Sequence, residues 1–115
     1  MQLRDRWRLE KILEYCNDIQ ATVLRLGTSL ESFLSSRDFQ YSVSFCILQI
    51  GELVGALTEE YRELTKNQIR WHEIKAMRNV VVHAYGSINL EIVWEVATAD
   101  IPRLGEFCKE QLQEA

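Results

Sequence analysis

Between Phe39 and Leu64 the chain sets Val43, Phe45, Cys46, Ile47, Leu48, Ile50, Leu53, Val54 and Leu57 at positions covering much of a helix circumference. A helix with one apolar stripe can lie on a surface, but one that is apolar around most of its perimeter needs other elements to wrap it. The segment therefore predicts a central helix, with the rest of the chain as its cover. Gly51 and Gly55 sit one turn apart inside it. Each costs about 1 kcal/mol against Ala in a helix interior, so close approach of a neighbouring helix is the expected compensation.

The covering segments are also helical in pattern. From about Leu3 to Leu26, Leu9, Ile12, Cys16, Ile19, Val23 and Leu26 recur at steps of three and four, the period of an amphipathic helix. Gly27-Thr28-Ser29 ends or kinks it, Leu30, Phe33 and Leu34 supply a further turn, and Ser35-Ser36-Arg37-Asp38 offers N-caps for the central helix. Thr65-Lys66-Asn67 reads as a turn, followed by a third helix from about Gln68 to Tyr85 that Gly86 stops. Asn89 caps a fourth helix with Ile92, Val93, Val96 and Ala97 inward and Glu91 and Glu95 outward. Pro102 lacks an N–H and clashes with the preceding turn, so a kink or break is expected there, before a last helix through Leu104, Phe107, Cys108 and Leu112. No strand-like alternation or repeat competes. The expectation is an all-α, up-and-down bundle of four to five helices forming one domain over residues 1–115.

Composition narrows the function classes. With 115 residues and 47% hydrophobic content, a core can form without staples or metals. Cys16, Cys46 and Cys108 are odd in number and lack metal-ligand or CxxC spacing, which suits a reducing cytoplasm. No apolar run approaches membrane-spanning length and no targeting segment is evident, so a cytoplasmic protein without a membrane partner is expected. The formal net charge of −4 argues against a broad grip on nucleic acid and leaves room only for a local basic cleft.

Chemistry concentrates in Arg78-Asn79-Val80-Val81-Val82-His83-Ala84-Tyr85, where three polar side chains of distinct type interrupt an apolar helix. At ~100° per residue, Trp71, Ile74, Arg78, Val81 and Tyr85 share a stripe, and Asn79 and His83 lie one turn apart on another. Arg78 and His83 diverge by ~140° and ~7.5 Å along a regular helix. Either the helix loosens near His83 or the two residues meet partners from a second chain, as when a two-fold dimer lines one cleft with the same helix from each subunit. A homodimer is expected on that ground. Asn79, four residues before His83, is placed to fix its tautomer. Plainer readings coexist: a core histidine, an Arg78 paired with Glu52, and a strand through the three valines. Glu52 is the lone carboxylate of the apolar central segment, either a partner of Arg78 or His83 or a surface residue.

The run Trp71-His72-Glu73-Ile74-Lys75-Ala76-Met77-Arg78-Asn79, then His83-Ala84-Tyr85, then Val93-Trp94, together with Ile50-Gly51-Glu52, resembles the HepT-like branch of the HEPN domain superfamily. The resemblance covers nearly the whole chain. It implies a toxin ribonuclease of a toxin–antitoxin pair, acting as a homodimer with both R-x4-6-H motifs in one cleft. It further implies a minimal nucleotidyltransferase antitoxin that adenylylates the motif tyrosine. Carried onto this sequence, Arg78 and His83 are catalytic, Asn79 supports them and Tyr85 is the modified residue; Glu52 stands beside them as a supporting residue if it is the partner of Arg78 or His83. Asn89 stands where an acidic residue is common in the family, and no proline precedes Trp71; neither departure touches the motif.

RNA carries its own nucleophile, the 2′-OH, so cleavage needs proton transfer, which suits His83, and charge stabilisation, which suits the planar Arg78 fork. No Asp or Glu lies between Glu73 and Glu91, so the motif holds no hard metal ligands. The expectation is a metal- and cofactor-independent endoribonuclease with RNA as substrate. A nucleotide attached to Tyr85 would put bulk and negative charge into the cleft. The alternative is a non-catalytic module that binds a nucleotide or docks the nucleotidyltransferase. His72-Glu73 fails the zinc-protease pattern because residue 76 is Ala, and Cys46 lacks an activating neighbour for a Cys/His pair with His83.

Overall fold

A computed structural model describes residues 1–84 and 89–114, with the side chains of 82–84 outside that description. The first amphipathic segment forms α1, Leu3–Leu26, whose Leu9, Ile12, Cys16 and Ile19 are fully buried. Gly27 ends it with φ at +139°, a backbone state that L side chains rarely adopt. A short helix, α2 (Leu30–Leu34), begins at Ser29, whose hydroxyl accepts from Ser32 N–H at 3.1 Å. Ser36 caps α3, Arg37–Ala56, accepting from Phe39 N–H at 3.2 Å, as the Ser-rich link predicts. Buried Gln40 donates to the carbonyls of Phe33 and Leu34 and so satisfies the end of α2.

The central helix is shorter than the apolar pattern predicts. It stops at Ala56, Leu57 turns extended, and α4, Glu59–Thr65, departs at 101° to it. The cause is a buried acid from a distant segment. Asp5, 1% exposed, accepts from the Thr58 N–H at 2.9 Å and from the Thr58 hydroxyl, while the same hydroxyl accepts from Tyr61 N–H at 3.2 Å and caps α4. Trp71 opens α5, Trp71–Ala84, and its indole N–H donates to Thr65 Oγ1 at 2.9 Å, locking the joint between α4 and α5. The three valines thus lie in helix and not in strand.

After Asn89 comes α6, Leu90–Glu95, which runs without interruption through a π-helical stretch, Val96–Asp100, into α7, Ile101–Gln113. Pro102 is the second residue of α7, inside the continuous helix, so its ring and missing N–H meet the turn just before it. The disturbance expected at the proline takes the form of a widened π turn just before it, not a break. Val93, Val96 and Ala97 are buried and Glu91 and Glu95 exposed as predicted, but Ile92 is 43% exposed and does not join the core. Its position is ~100° from Val93, on the flank of the inward face.

Residue pairings give the topology. Asp5 meets Thr58 and Tyr15 meets Phe45, so α1 and α3 are antiparallel. Gly51 meets Arg78 and Gly55 meets Lys75, so α3 and α5 are antiparallel, and the pairs Cys16–Gly105 and Arg6–Leu112 make α7 antiparallel to α1. The result is an all-α up-and-down bundle. Phe33, Phe39 and Trp94 join α2, α3 and α6 with ring centroids 5.1 to 5.8 Å apart, a spacing typical of favourable aromatic packing. Among the described residues, no single helix is long and apolar enough to cross a membrane.

Candidate active site

The antiparallel register of α3 and α5 decides where the motif arginine goes. Gly51 faces Arg78 so closely that an added Cβ would stand 3.0 Å from Arg78 Cβ. The absent side chain lets the arginine stem lie against α3, which is the compensation expected for a glycine in that helix. Gly55 is less constrained, since a Cβ there would meet only Lys75 Cε at 3.5 Å.

Beyond Gly51 the guanidinium emerges at the surface, and its Nε lies 2.7 Å from Glu52 Oε1. The two side chains are 48% and 63% exposed, so the pair is held in place and still open to solvent. The two readings of Glu52 therefore merge, because it is both a partner of Arg78 and a surface residue. An ion pair this exposed contributes about 0–1 kcal/mol to stability. Asn79 is exposed next to it. On the adjoining face of α5, Trp71, Ile74, Met77 and Val81 are buried, which leaves Arg78 on the border of the buried stripe, where its stem packs and its head emerges.

The backbone of α5 stays helical through Ala84. The helix therefore does not loosen to bring His83 round toward Arg78, and the ~140° divergence of a regular helix applies to the two backbone positions. The His83 side chain and Tyr85 lie outside the described residues, as does the stop expected at Gly86. Within one chain, Arg78 and Glu52 come together at the seam of α3 and α5, with Asn79 exposed on the next position of α5. The exposed face of α3 that carries Glu52 also carries Tyr41 and Phe45, which are 54% and 55% exposed, all within ~40° of one another on the helix.

The cysteines do not supply a nucleophile. Burial pushes the Cys46 thiol up to about 11, with a further contribution from Asp18; burial pushes Cys108 up to about 12 and Cys16 higher still. Such groups stay protonated near neutrality. His72 is exposed on the second residue of α5. Sequence reasoning missed a basic surface beside the site, formed by Arg62, Lys66, Arg70 and Lys75. Its signal was there in the spacing of residues 62, 66 and 70, one helical turn apart each, in a segment read as a helix end followed by a turn.

Comparison with known proteins identifies the family. A family model described as ribonuclease HepT-like matches residues 8–111. A provisionally assigned RNase of Caldanaerobacter subterraneus subsp. tengcongensis is 34% identical over 105 residues, 91% of each chain. The protein named probable ribonuclease HepT of Thermococcus cleftensis is 31% identical over 80 residues, 69% of this chain and 72% of the relative. A provisionally assigned RNase of Methanocaldococcus jannaschii is 31% identical over 96 residues, covering 84% and 77% respectively. No solved structure matches the chain significantly. On the strength of the match across almost all of its length, the chain belongs to the HepT-like ribonuclease family, of HEPN type.

Proposed function

We propose that the protein is a metal-independent endoribonuclease and the toxin of a toxin–antitoxin pair, cleaving RNA in a cleft shared by two copies of the chain. The observation that carries this reading is the solvent-open Arg78–Glu52 pair on a helix that continues unbroken toward His83. A guanidinium kept only for structure gains little from an exposed pair, whereas one held at the surface by its Nε has both Nη groups to offer to phosphate. Glu52 acts as a positioning residue, engaging one edge of the fork so that the other meets the non-bridging oxygens.

In the proposed reaction His83 accepts the proton of the ribose 2′-OH as the oxygen attacks phosphorus. The P–O5′ bond breaks, and the departing 5′-oxygen takes a proton from a protonated imidazole, the second motif of the dimer being a ready source. Arg78 stabilises the charge that grows on the phosphoryl oxygens. The products carry a 2′,3′-cyclic phosphate and a 5′-OH. Asn79 orients the imidazole. The divergence of Arg78 and His83 on α5 supports a two-chain site, as does the exposed aromatic face of α3 next to Glu52, a surface suited to a second copy. The three thiols, all free among the described residues, suit a reducing cytoplasm.

Regulation follows from the same motif. We propose that a minimal nucleotidyltransferase antitoxin adenylylates Tyr85, adding phosphate and bulk where substrate must enter. Co-expression with such an enzyme should add the mass of one AMP to the protein but not to Tyr85→Phe. For the nuclease itself the decisive variant is His83→Ala: growth arrest and RNA cleavage should both disappear, and their persistence would remove the basis of the proposal.

A further inference from the structure

Between α4 and the first turns of α5 lies an open groove of about 510 Å³. Four permanent cations, Arg62, Lys66, Arg70 and Lys75, line it against two carboxylates, Glu59 and Glu63. This local sign opposes that of the chain, whose net charge is −4. Lys66 pairs with Glu63, and Arg70 with Glu73 at 3.3 Å, but these side chains are all more than half exposed, so the pairs exchange readily for another anion. Arg62 differs. It is the half-buried one of the four, its Nε buried among protein atoms, so its guanidinium is held more firmly at the groove than the exposed Lys66 and Arg70.

Lys75, the last residue of α5 in the groove's lining, precedes Arg78 by three residues. The Trp71–Thr65 hydrogen bond fixes the joint at its floor, and the Lys75 stem lies across Gly55. On α5, His72, Lys75, Asn79 and position 83 share one stripe, with Arg78 ~60° from Lys75 and ~9 Å along the axis from His72. A ligand in the groove therefore follows the His72–Lys75 side of α5 and reaches Arg78 by a step of ~60° around the helix from Lys75. Apart from the exposed imidazole of His72, the lining offers no aromatic for base stacking and no large apolar anchor of the kind that dominates protein interfaces, since Trp71 is buried and Ile69 half-buried. What remains is chemistry for phosphate.

We infer that the groove formed by Arg62, Lys66, Arg70 and Lys75 tracks the phosphate backbone of single-stranded RNA flanking the scissile phosphate at Arg78. The inference rests on the ribonuclease reading and assigns the groove a role in affinity without base selection, because phosphate contacts position a strand and do not read it. Lys75 hands the strand from the groove to Arg78.

The test uses the full chain carrying His83→Ala, so that bound RNA stays intact, and a labelled single-stranded RNA titrated at several salt concentrations. Removing one cation that neutralises a phosphate should flatten the slope of log affinity against log salt by about 0.7, so Lys66→Gln with Lys75→Gln should flatten it by about 1.4. The weakening should be the same for RNAs of different sequence, and Lys109→Gln, an exposed cation of α7 outside the groove, should leave the slope unchanged. In the cleaving protein the double variant should raise KM with kcat retained. An unchanged slope in the double variant, an equal change in Lys109→Gln, or no measurable RNA binding overturns the inference; an unchanged slope is also the outcome if the groove serves a protein partner. The two readings fail separately. If His83→Ala abolishes cleavage while the groove variants do nothing, only the track is lost, whereas cleavage surviving His83→Ala removes the active-site reading and leaves the slope to judge the groove.

Discussion

Replacing Gly51 by Ala puts a methyl carbon 3.0 Å from Arg78 Cβ, closer than real Cβ contacts normally come. Arg78 Cβ is tied to the backbone of α5 and cannot swing aside, so the helices must part locally. Overpacking of this kind costs about 1–3 kcal/mol, against a gain of about 1 kcal/mol from replacing a helical glycine by alanine. The net effect runs from neutral to about 2 kcal/mol destabilising. Gly55→Ala is the matched control: its Cβ would meet only Lys75 Cε at 3.5 Å, the movable end of a flexible chain, so up to about 1 kcal/mol of the propensity gain survives. At this chain length 1 kcal/mol moves Tm by about 3–6 °C. Thermal unfolding followed by circular dichroism, at matched protein concentration because a dimer's Tm depends on it, should place Gly55→Ala at or above the parent and Gly51→Ala at or below it. RNA cleavage should fall in Gly51→Ala alone, because the shift moves Arg78. Equal stabilisation by both substitutions would refute a seating role for Gly51.

Asp5→Ala removes the acceptor for two donors of Thr58 and should cost about 2–3 kcal/mol, read as a fall in the urea midpoint; a change below about 0.5 kcal/mol, on the scale of ordinary surface substitutions, would mean that the α3–α4 break does not depend on Asp5. Burial raises the thiols of Cys46 to about 11 and Cys108 to about 12 and the Tyr61 hydroxyl further, so above pH ~9 the unfolded chain loses these protons first. Stability should therefore decline from about pH 9 toward 12, and native thiols should resist a disulfide reagent at about pH 7 while the denatured chain reacts at all three; rapid native labelling of Cys108 would contradict the burial. Mixing the inactive Arg78→Ala and His83→Ala proteins should restore part of the cleavage if each site draws residues from two chains, whereas a site complete within one chain would leave the mixture inactive.

Much of the bundle was legible because it rests on local signals. The three- and four-residue steps of Leu9, Ile12, Cys16 and Ile19 locate α1, and Ser36 was readable as a cap from its position alone. The break after Ala56 was not, because Leu57 keeps the apolar phase of the helix and the acid that turns the chain at Thr58 comes from 53 residues away. A local hint existed in Thr58 followed by Glu59 and Glu60, a cap with acids in its first turn. Ile92 misled for a related reason: an apolar residue beside a buried one satisfies a coarse pattern, while the actual packing angle is set by the neighbours.

The candidate site divides along the same line. That Arg78 and Glu52 could pair was readable as one possibility; that they meet at an open seam depends on the register of two antiparallel helices, which Gly51 adjusts. The basic groove depends on α4 folding back beside α5, and a single continuous helix through Leu64 would have pointed Arg62 elsewhere. Helix geometry, by contrast, made the divergence of Arg78 and His83 visible from spacing, and the helical backbone through Ala84 keeps it.

Whether Arg78 and His83 cleave RNA without a metal is decided by incubating the purified chain, and separately its His83→Ala variant, with single-stranded RNA in excess chelator and identifying the new ends by mass spectrometry. The proposed chemistry requires fragments ending in 2′,3′-cyclic phosphate from the parent chain and none from the variant. Cleavage that needs an added divalent ion, or that is equal in the two proteins, would be incompatible with it.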